Sequence, residues 1–233
     1  EKGFAGETNW AFLRKGEVYP GYPKYKELQY GHADGNQWTP AECDVSIRPG
    51  WFYHPEEDGK VKSPEQLTDL YYRSVGHNAT LLLNFPVDRE GLIHPIDSAN
   101  AVNFYKTIQR ELSHNLVAGM KPTVSNERGG QFTAKAMTDS SWDTYWATND
   151  GVTSADITFT FKKPQLMNRI MLQEYIPLGQ RVKSFSVEYR ANDGSWRKVE
   201  QDEETTTIGY KRLLRFRTIE SKGIRVRILD SRG

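Results

Sequence analysis

Several side chains that could bind a ligand follow the ends of two short apolar runs in the first half of the chain. Arg48, Trp51 and His54 come shortly after the run at residues 45–47, and Asn84 ends the run at residues 80–84. In proteins that alternate strands and helices, binding and catalytic residues gather at the C-terminal ends of the strands. The spacing therefore predicts that these residues share one site.

Each of these residues also has a structural interpretation. Arg48 can neutralise a functional carboxylate or pair with Asp44, and the pairing is the favoured interpretation. Trp51 can stack on a ligand or pack beneath the mouth of the site, with neither favoured. For Asn84 and His54 the structural roles are favoured, and for Asn84 that role is to cap the following turn.

A second group of polar and aromatic residues lies in loop-rich sequence in the second half of the chain. It consists of Asp139, Trp142, Asp143, Tyr145, Trp146 and Asp150. The carboxylates are oxygen donors that could ligate a cation, although solvated turn residues are the favoured interpretation. The aromatic residues can form a platform for a sugar, although core packing is favoured for at least two of the three.

Charge and hydropathy exclude two classes of partner. The chain has 233 residues, a net charge of +1 and dispersed Lys and Arg, so it lacks the clustered basic surface that nucleic-acid binding needs. No apolar run approaches the length of a membrane-spanning helix. We therefore expect neither a nucleic acid nor a membrane as partner.

The cysteine and histidine residues predict no metal centre. The single Cys43 excludes an internal disulfide and a cysteine-based zinc site, and it is predicted to be a small buried residue. The five His residues are scattered, without the spacing of metal ligands.

The first half of the chain shows signals for alternating strands and helices. Ser63-Pro64 followed by Gln66 predicts the start of a helix with a capping box. The run at residues 80–84 predicts a strand buried on both faces, as in a parallel sheet. Asp97 is predicted to cap a second helix. The predicted buried stripe of that helix is Val102, Tyr105, Ile108 and Leu112.

This alternation predicts the C-terminal part of a (β/α)8-type barrel in residues 1–117. Only about two strand–helix units fit, so a closed barrel cannot be built from this chain alone. Residues 1–10 read as the middle of a loop, and we expect the N-terminal part of the barrel to be missing.

From residue 118 the pattern changes to short alternating strands. Residues 157–161, 185–189 and 224–228 alternate apolar and polar side chains, and residues 192–195 (NDGS) give a turn signal. Residues 118–233 are therefore predicted to form an antiparallel β-sandwich of the jelly-roll or discoidin-like type. A truncation of this sandwich at its C-terminus, with loss of its final strand, is an open alternative. The predicted fold class is α/β plus all-β.

Four stretches of the chain together resemble one enzyme family. They are residues 1–10 (EKGFAGETNW), 38–53 (WTPAECDVSIRPGWFY), 81–93 (LLLNFPVDREGLI) and 144–151 (TYWATNDG). The chain resembles the C-terminal portion of an α-L-fucosidase of glycoside hydrolase family 29. The closest subgroup prefers α-1,3/1,4-linked fucose in branched glycans. The last domain resembles the family-32-type carbohydrate-binding sandwich.

The resemblance implies a retaining mechanism with two carboxyl groups. The family's nucleophile is an Asp that follows a Trp-Phe pair, but here Trp51-Phe52 is followed by Tyr53, so the nucleophile is expected upstream of this chain. Glu1 matches the general acid/base, because residues 3–8 (GFAGET) fit the motif that follows it. Glu7 and Glu42 are the alternatives, and Glu42 can instead hold a substrate hydroxyl or Arg48.

The resemblance also implies the substrate and its contacts. Trp51 would shape the fucose pocket, with Arg48, His54 and Asn84 nearby and Trp38 and Tyr53 towards the leaving group. The implied partner is a fucosylated oligosaccharide or glycoconjugate, and the implied location is periplasmic or secreted. Discoidin-like domains often bind a structural calcium ion through such loops, so the resemblance implies Asp139, Asp143 and Asp150 as candidate ligands and no other cofactor.

Without the nucleophile, the 233 residues alone are expected to be inactive or nearly so. The alternative function is a non-catalytic carbohydrate-binding or interaction module.

Overall fold

A computed structural model describes residues 9–201 and 203–232 of the chain. The chain divides into two compact units, Glu1–His114 and Asn115–Gly233. The boundary predicted from the sequence, after residue 117, lies slightly further along the chain. Glu1 and Glu7 lie outside the described residues.

The described residues of the first unit form four strands and two α-helices. In chain order they are β1 (Phe12–Leu13), β2 (Gln37–Trp38), β3 (Ala41–Ser46), α1 (Pro64–Arg73), β4 (Ala79–Asn84) and α2 (Pro95–Glu111), with 3-10 helices at Tyr25–Gln29 and Pro55–Lys60. Strands β3 and β4 pair in parallel from Ala41 opposite Ala79 to Ser46 opposite Asn84, with α1 between them in sequence. The predicted order of strand, helix, strand and helix is therefore present.

The described residues form no barrel, and β4 is not buried on both faces. Strands β3 and β4 make a two-stranded sheet within the described ranges. Leu82 on β4 is 52% exposed. The prediction of a fully buried strand was wrong because burial on both faces needs packing partners that the described part of the chain does not supply.

The start of α1 was predicted correctly. The Oγ of Ser63 accepts the N–H of Gln66 at 3.3 Å, and the Oε1 of Gln66 accepts the N–H of Ser63 at 2.9 Å. This reciprocal pair is a capping box, with Pro64 in the first turn.

The predicted buried position of Cys43 is also confirmed, and burial raises the pKa of its thiol.

The predicted start of α2 was wrong, and its predicted buried face was right only for Ile108, which is buried, and Leu112, which is half-buried. The N-cap is His94, whose Nδ1 accepts the N–H of Ile96, and Asp97 lies inside the first turn. Pro95 presets the helical φ angle at the first position, so the helix begins before Asp97. Val102 and Tyr105 are exposed, whereas the inward face carries Asp97, Ala101, Phe104, Ile108 and Glu111.

The second unit is an antiparallel β structure. Its strands are β5 (Thr123–Val124), β6 (Ala155–Leu172), β7 (Val182–Arg190), β8 (Trp196–Lys198) and β9 (Arg212–Ser231). They form one sheet in the order β5-β6-β9-β7-β8, so the last strand in sequence lies between β6 and β7. All three predicted strands lie inside β6, β7 and β9, and the predicted turn joins β7 to β8.

One hydrophobic core holds this unit together. Register shifts interrupt the pairing of β6 with β9, and such irregularities let long strands bend. Phe159 from the first part of β6 and Met167 from the second part belong to the same core, together with Phe185 of β7 and Leu214 of β9.

No helix in the described ranges is both long and apolar enough to cross a bilayer.

A half-buried carboxylate joins two loops to the start of β7. The carboxylate of Glu174 accepts the N–H groups of Arg181 at 2.7 Å, Val182 at 2.9 Å and Gly209 at 2.6 Å. Burial raises the pKa of Glu174, against the opposing effect of these three donors.

We expect the stability of this unit to depend on pH through Glu174. Because the folded-state pKa is raised, the stabilisation is complete below the ordinary Glu pKa of about 4.3 and decreases as pH rises through the folded-state value. The measurement is urea unfolding of the wild type and of Glu174→Gln, which does not titrate, at several pH values. The wild-type free energy of unfolding minus that of the variant should fall with pH, by at most about 1.4 kcal/mol per pH unit. A difference that grows with pH would contradict the raised pKa.

Candidate functional site

The C-terminal ends of β3 and β4 are tied together by one amide side chain. The Nδ2 of Asn84 donates to the Oγ of Ser46 at 3.1 Å and to the carbonyl oxygen of Trp51 at 3.1 Å. Lys62 donates to the carbonyl oxygen of Ser46 at 2.7 Å. Both strand ends and the loop after β3 are therefore fixed relative to one another, at the edge where a parallel sheet places ligands. We call this region the strand-end site.

Arg48 is the buried anchor of the loop after β3. It is 0% exposed, and its Nε and Nη2 donate to the two carboxylate oxygens of Asp97 at 2.8 and 2.9 Å. Its Nη1 donates to Asp58 at 2.9 Å, and its Cζ lies 4.6 Å from the ring centre of Tyr53. The hydrogen bonds to Asp97, together with Asp58, raise the pKa of Arg48.

This geometry gives Arg48 partners different from those predicted. The residue is paired, as favoured, but with Asp97 and Asp58 and not with Asp44. A guanidinium whose nitrogens already face carboxylates inside the protein positions the loop and does not contact a ligand directly.

The segment between β4 and α2 is held against the same loop. The ring of His94 stacks on Tyr53 with centroids 5.9 Å apart, and its Nε2 lies 3.6 Å from Asp58. Burial raises the pKa of the Tyr53 hydroxyl, and the negative charges of Asp58 and Asp88 act in the same direction. Tyr53 is thus part of the framework of the strand-end site.

Three side chains of this fixed loop remain exposed. Trp51 is 46% exposed, Phe52 is 78% exposed, and the side chain of His54 is 54% exposed. An aromatic ring presented on a rigid backbone suits stacking against the apolar face of a sugar, and an imidazole beside it can hydrogen-bond to hydroxyls. The sequence analysis did not propose Phe52, although the run of three aromatic residues after Pro49-Gly50 was a visible signal.

Other predicted residues lie elsewhere. Glu42 is the second residue of β3, exposed and four residues before Ser46. That spacing places it roughly 13 Å away along the strand, towards the opposite end of the sheet. Trp38 lies on β2, where its ring meets Phe12 edge-on at 5.2 Å.

The aromatic residues of the second unit pack mainly against one another or against the core. Trp146 packs against the core and donates its Nε1–H to the carbonyl oxygen of Asn126 at 3.2 Å. Tyr145 lies between Tyr175 and Phe132, with ring centroids 4.3 and 4.9 Å away. Core packing is therefore confirmed for Trp146, whereas Tyr145 packs against other aromatic rings and Trp142 is 69% exposed.

The nearby carboxylates behave as turn residues. Asp139 accepts the N–H of Ser141 at 2.9 Å and the hydroxyl of Thr144 at 2.7 Å, and these bonds lower its pKa. Asp150 pairs with Arg128. Among the described residues no three His, Cys, Asp or Glu side chains form a metal-binding group. These side chains thus give no support to the structural calcium ion.

Comparison of the sequence with known protein families identifies the second unit. The F5/8 type C domain family matches residues 121–233. This domain is a β-sandwich, which agrees with the antiparallel architecture of the second unit.

Two plant proteins are similar over nearly the whole chain. A rice (Oryza sativa subsp. japonica) protein assigned as α-L-fucosidase 1 is 40% identical over 100% of this chain and 45% of its own length. The α-L-fucosidase 1 of Arabidopsis thaliana is 36% identical over 97% of this chain and 45% of its own length. The chain thus spans about half the length of these curated relatives.

Several crystal structures are also similar. One assigned as an α-L-fucosidase from Bacteroides thetaiotaomicron has a TM-score of 0.91 and 41% identity, covering 97% of this chain and 50% of its own. The protein SpGH29 gives 0.88 and 31%, covering 98% and 49%. A Ruminococcus gnavus GH29 fucosidase in complex with fucose gives 0.83 and 32%, covering 98% and 46%.

Removal of the carboxylate of Asp97 should destabilise the first unit strongly. We expect Asp97→Ala to lower the free energy of unfolding by about 3–5 kcal/mol, because it leaves a buried guanidinium without its main partner. The matched control is Asp44→Ala, which removes an exposed carboxylate from β3 and should change stability by less than about 0.5 kcal/mol. Urea unfolding followed by tryptophan fluorescence measures both, and equal losses would contradict the anchoring role of Arg48.

Proposed function

Because the chain is homologous along its whole length to the α-L-fucosidases of glycoside hydrolase family 29 and so belongs to that family, we propose that it is the C-terminal portion of a retaining exo-α-L-fucosidase. The substrate we propose is α-1,3/1,4-linked L-fucose at the ends of glycan branches. The observation that carries the proposal is this homology, which covers both units. The strand-end site supports it with an exposed aromatic ring on a fixed loop.

In this proposal Trp51 stacks on the apolar face of fucose, which carries the methyl group. Its backbone is fixed by Asn84, and the loop that carries it is fixed by Arg48. Both residues therefore position the pocket. Phe52 and His54 complete the exposed side of the loop and face either fucose or the sugar that leaves with it.

The chemistry needs two carboxyl groups about 5–5.5 Å apart. We propose Glu1 as the general acid/base, on the motif that follows it in the sequence. The Asp nucleophile would come from residues outside these 233, which is compatible with relatives about twice as long as this chain. A general acid contributes about 10²–10⁴-fold, but without a nucleophile it has no covalent step to assist.

The proposed partner is a fucosylated oligosaccharide or glycoconjugate, met in the periplasm or outside the cell. A glycan-binding module without chemistry is the second candidate function. The match of residues 121–233 to the F5/8 type C domain favours it, because that domain makes up nearly half of the chain.

A comparison of two proteins separates these functions. This chain and the full-length protein that contains it are each incubated with a Lewis-type trisaccharide carrying α-1,3- or α-1,4-linked fucose, and free fucose is measured. We expect release by the full-length protein and none by the 233 residues alone. Absence of release by a folded full-length protein would favour the binding module, whereas release by the chain alone would refute the upstream nucleophile.

We further expect Trp51→Ala to lower kcat/KM of the full-length protein by roughly 10- to 100-fold, since stacking buries an aromatic ring worth about 1.5–3 kcal/mol. The matched control is Tyr105→Ala on α2, which removes a similarly exposed aromatic residue outside the strand-end site. Steady-state rates on the same trisaccharide give both values. Equal rates for the two variants would exclude Trp51 from the fucose pocket.

A further inference from the structure

Four side chains of the strand-end site form a closed ring of contacts. Arg48 donates to Asp58 at 2.9 Å, and its Cζ lies 4.6 Å from the ring centre of Tyr53. The imidazole of His94 stacks on Tyr53 with centroids 5.9 Å apart and 27° between the planes, and its Nε2 lies 3.6 Å from Oδ2 of Asp58. We call these four residues the contact ring. Each member has a neighbour on either side, so none can move without disturbing two contacts.

His94 belongs to a different part of the chain from the other three members. Arg48, Tyr53 and Asp58 lie in the loop after β3 and in the 3-10 helix that follows it. His94 comes after β4 and is the N-cap of α2. Its imidazole therefore joins the segment after β4 to the loop after β3.

The hydrogen bonding of His94 fixes the plane of its imidazole. Nδ1 accepts the N–H of Ile96 at 3.4 Å, so in the neutral imidazole the proton lies on Nε2, the nitrogen that faces Asp58. Because each nitrogen is directed towards its own neighbour, the ring cannot turn without losing one of them. His94 thus presents a defined face to Tyr53.

The contact ring holds both ends of the short segment that carries Trp51. Arg48 precedes this segment and is fixed by its buried ion pair, and Tyr53 follows it and is packed against His94. Between them the carbonyl oxygen of Trp51 accepts the amide of Asn84 at 3.1 Å. The backbone beneath the exposed indole is therefore held before, at and after Trp51.

We propose that His94 is a positioning residue for the fucose pocket. In this role it acts through Tyr53, and not by contact with the sugar, to set the direction in which Trp51 meets the apolar face of fucose. The inference rests on the proposed fucosidase function and adds to it a residue that lies outside the strand ends. Its effect is measurable, because displacement of a binding group by about 1 Å can cost on the order of 100-fold in rate.

The first test is His94→Asn in the full-length protein, with steady-state rates on the same trisaccharide. Asn is a good N-cap, so this variant keeps the start of α2 but removes the ring that packs on Tyr53. We expect KM to rise about tenfold and kcat to change less than about threefold, because a contact made equally in the ground state and the transition state affects KM alone. The matched control is His114→Asn, which replaces an exposed His after α2 and should leave KM unchanged.

A second variant separates positioning from helix capping. His94→Phe keeps a ring against Tyr53 but cannot accept the N–H of Ile96, so α2 loses its cap. Under the proposal its KM stays within about threefold of the wild type, closer than that of His94→Asn, although its helix is less stable. The reverse order of KM values in folded variants would show that His94 only caps α2 and would overturn the proposal.

A double-mutant cycle shows whether the effect passes through Trp51. In a protein that already carries Trp51→Ala, His94→Asn should change kcat/KM by less than about twofold, because the group that it positions is gone. A further loss of about tenfold would mean that His94 acts by another route, against the proposal.

A spectroscopic measurement separates this inference from the fucosidase activity. The full-length protein is labelled with 5-fluorotryptophan, and the ¹⁹F resonance of Trp51 is identified by its absence from the spectrum of Trp51→Phe. We expect His94→Asn to shift this resonance and His114→Asn to leave it in place. An unshifted resonance in His94→Asn would refute the positioning role whatever the activity. A shifted resonance in a protein that releases no fucose would support that role and count against the fucosidase.

Discussion

The strand-end site depends on the ion pair between Arg48 and Asp97. Neither residue is exposed, and transfer of two charges out of water costs several kcal/mol per ion unless hydrogen bonds satisfy them fully. The two groups therefore have one good arrangement, in which both guanidinium edges are occupied. This requirement fixes the loop after β3 against the first turn of α2, although 49 residues separate the partners. Trp51 and Phe52 can remain exposed because the ion pair, and not their own burial, fixes the backbone of this loop.

Carboxylates play the same part in the second unit. Glu174 accepts three backbone N–H groups from two segments, and Asp193 closes the turn between β7 and β8. In each case a carboxyl group accepts hydrogen bonds from donors that a loop would otherwise leave to water.

Local signals in the sequence were sufficient for much of the fold. The capping box at Ser63, the alternation in β6, β7 and β9 and the turn at Gly194 each depend on residues close together in the chain. The predictions were wrong where contacts between residues far apart in the sequence determine the structure. Asp97 has the type of an N-cap, but its carboxylate is committed to Arg48, and the buried face of α2 turns accordingly. In the candidate site, the residues that follow the strand ends could be predicted from the sequence. The burial of Arg48 and the exposure of Phe52 could not.

The position of β9 between β6 and β7 has a consequence for how the second unit is made. Both neighbours draw most of their pairing from this strand, which comes last in the chain. On a ribosome, β6 and β7 must therefore wait with open edges until β9 has emerged, and the sheet closes in a single late step. During that interval the exposed strand edges are available for pairing with other chains.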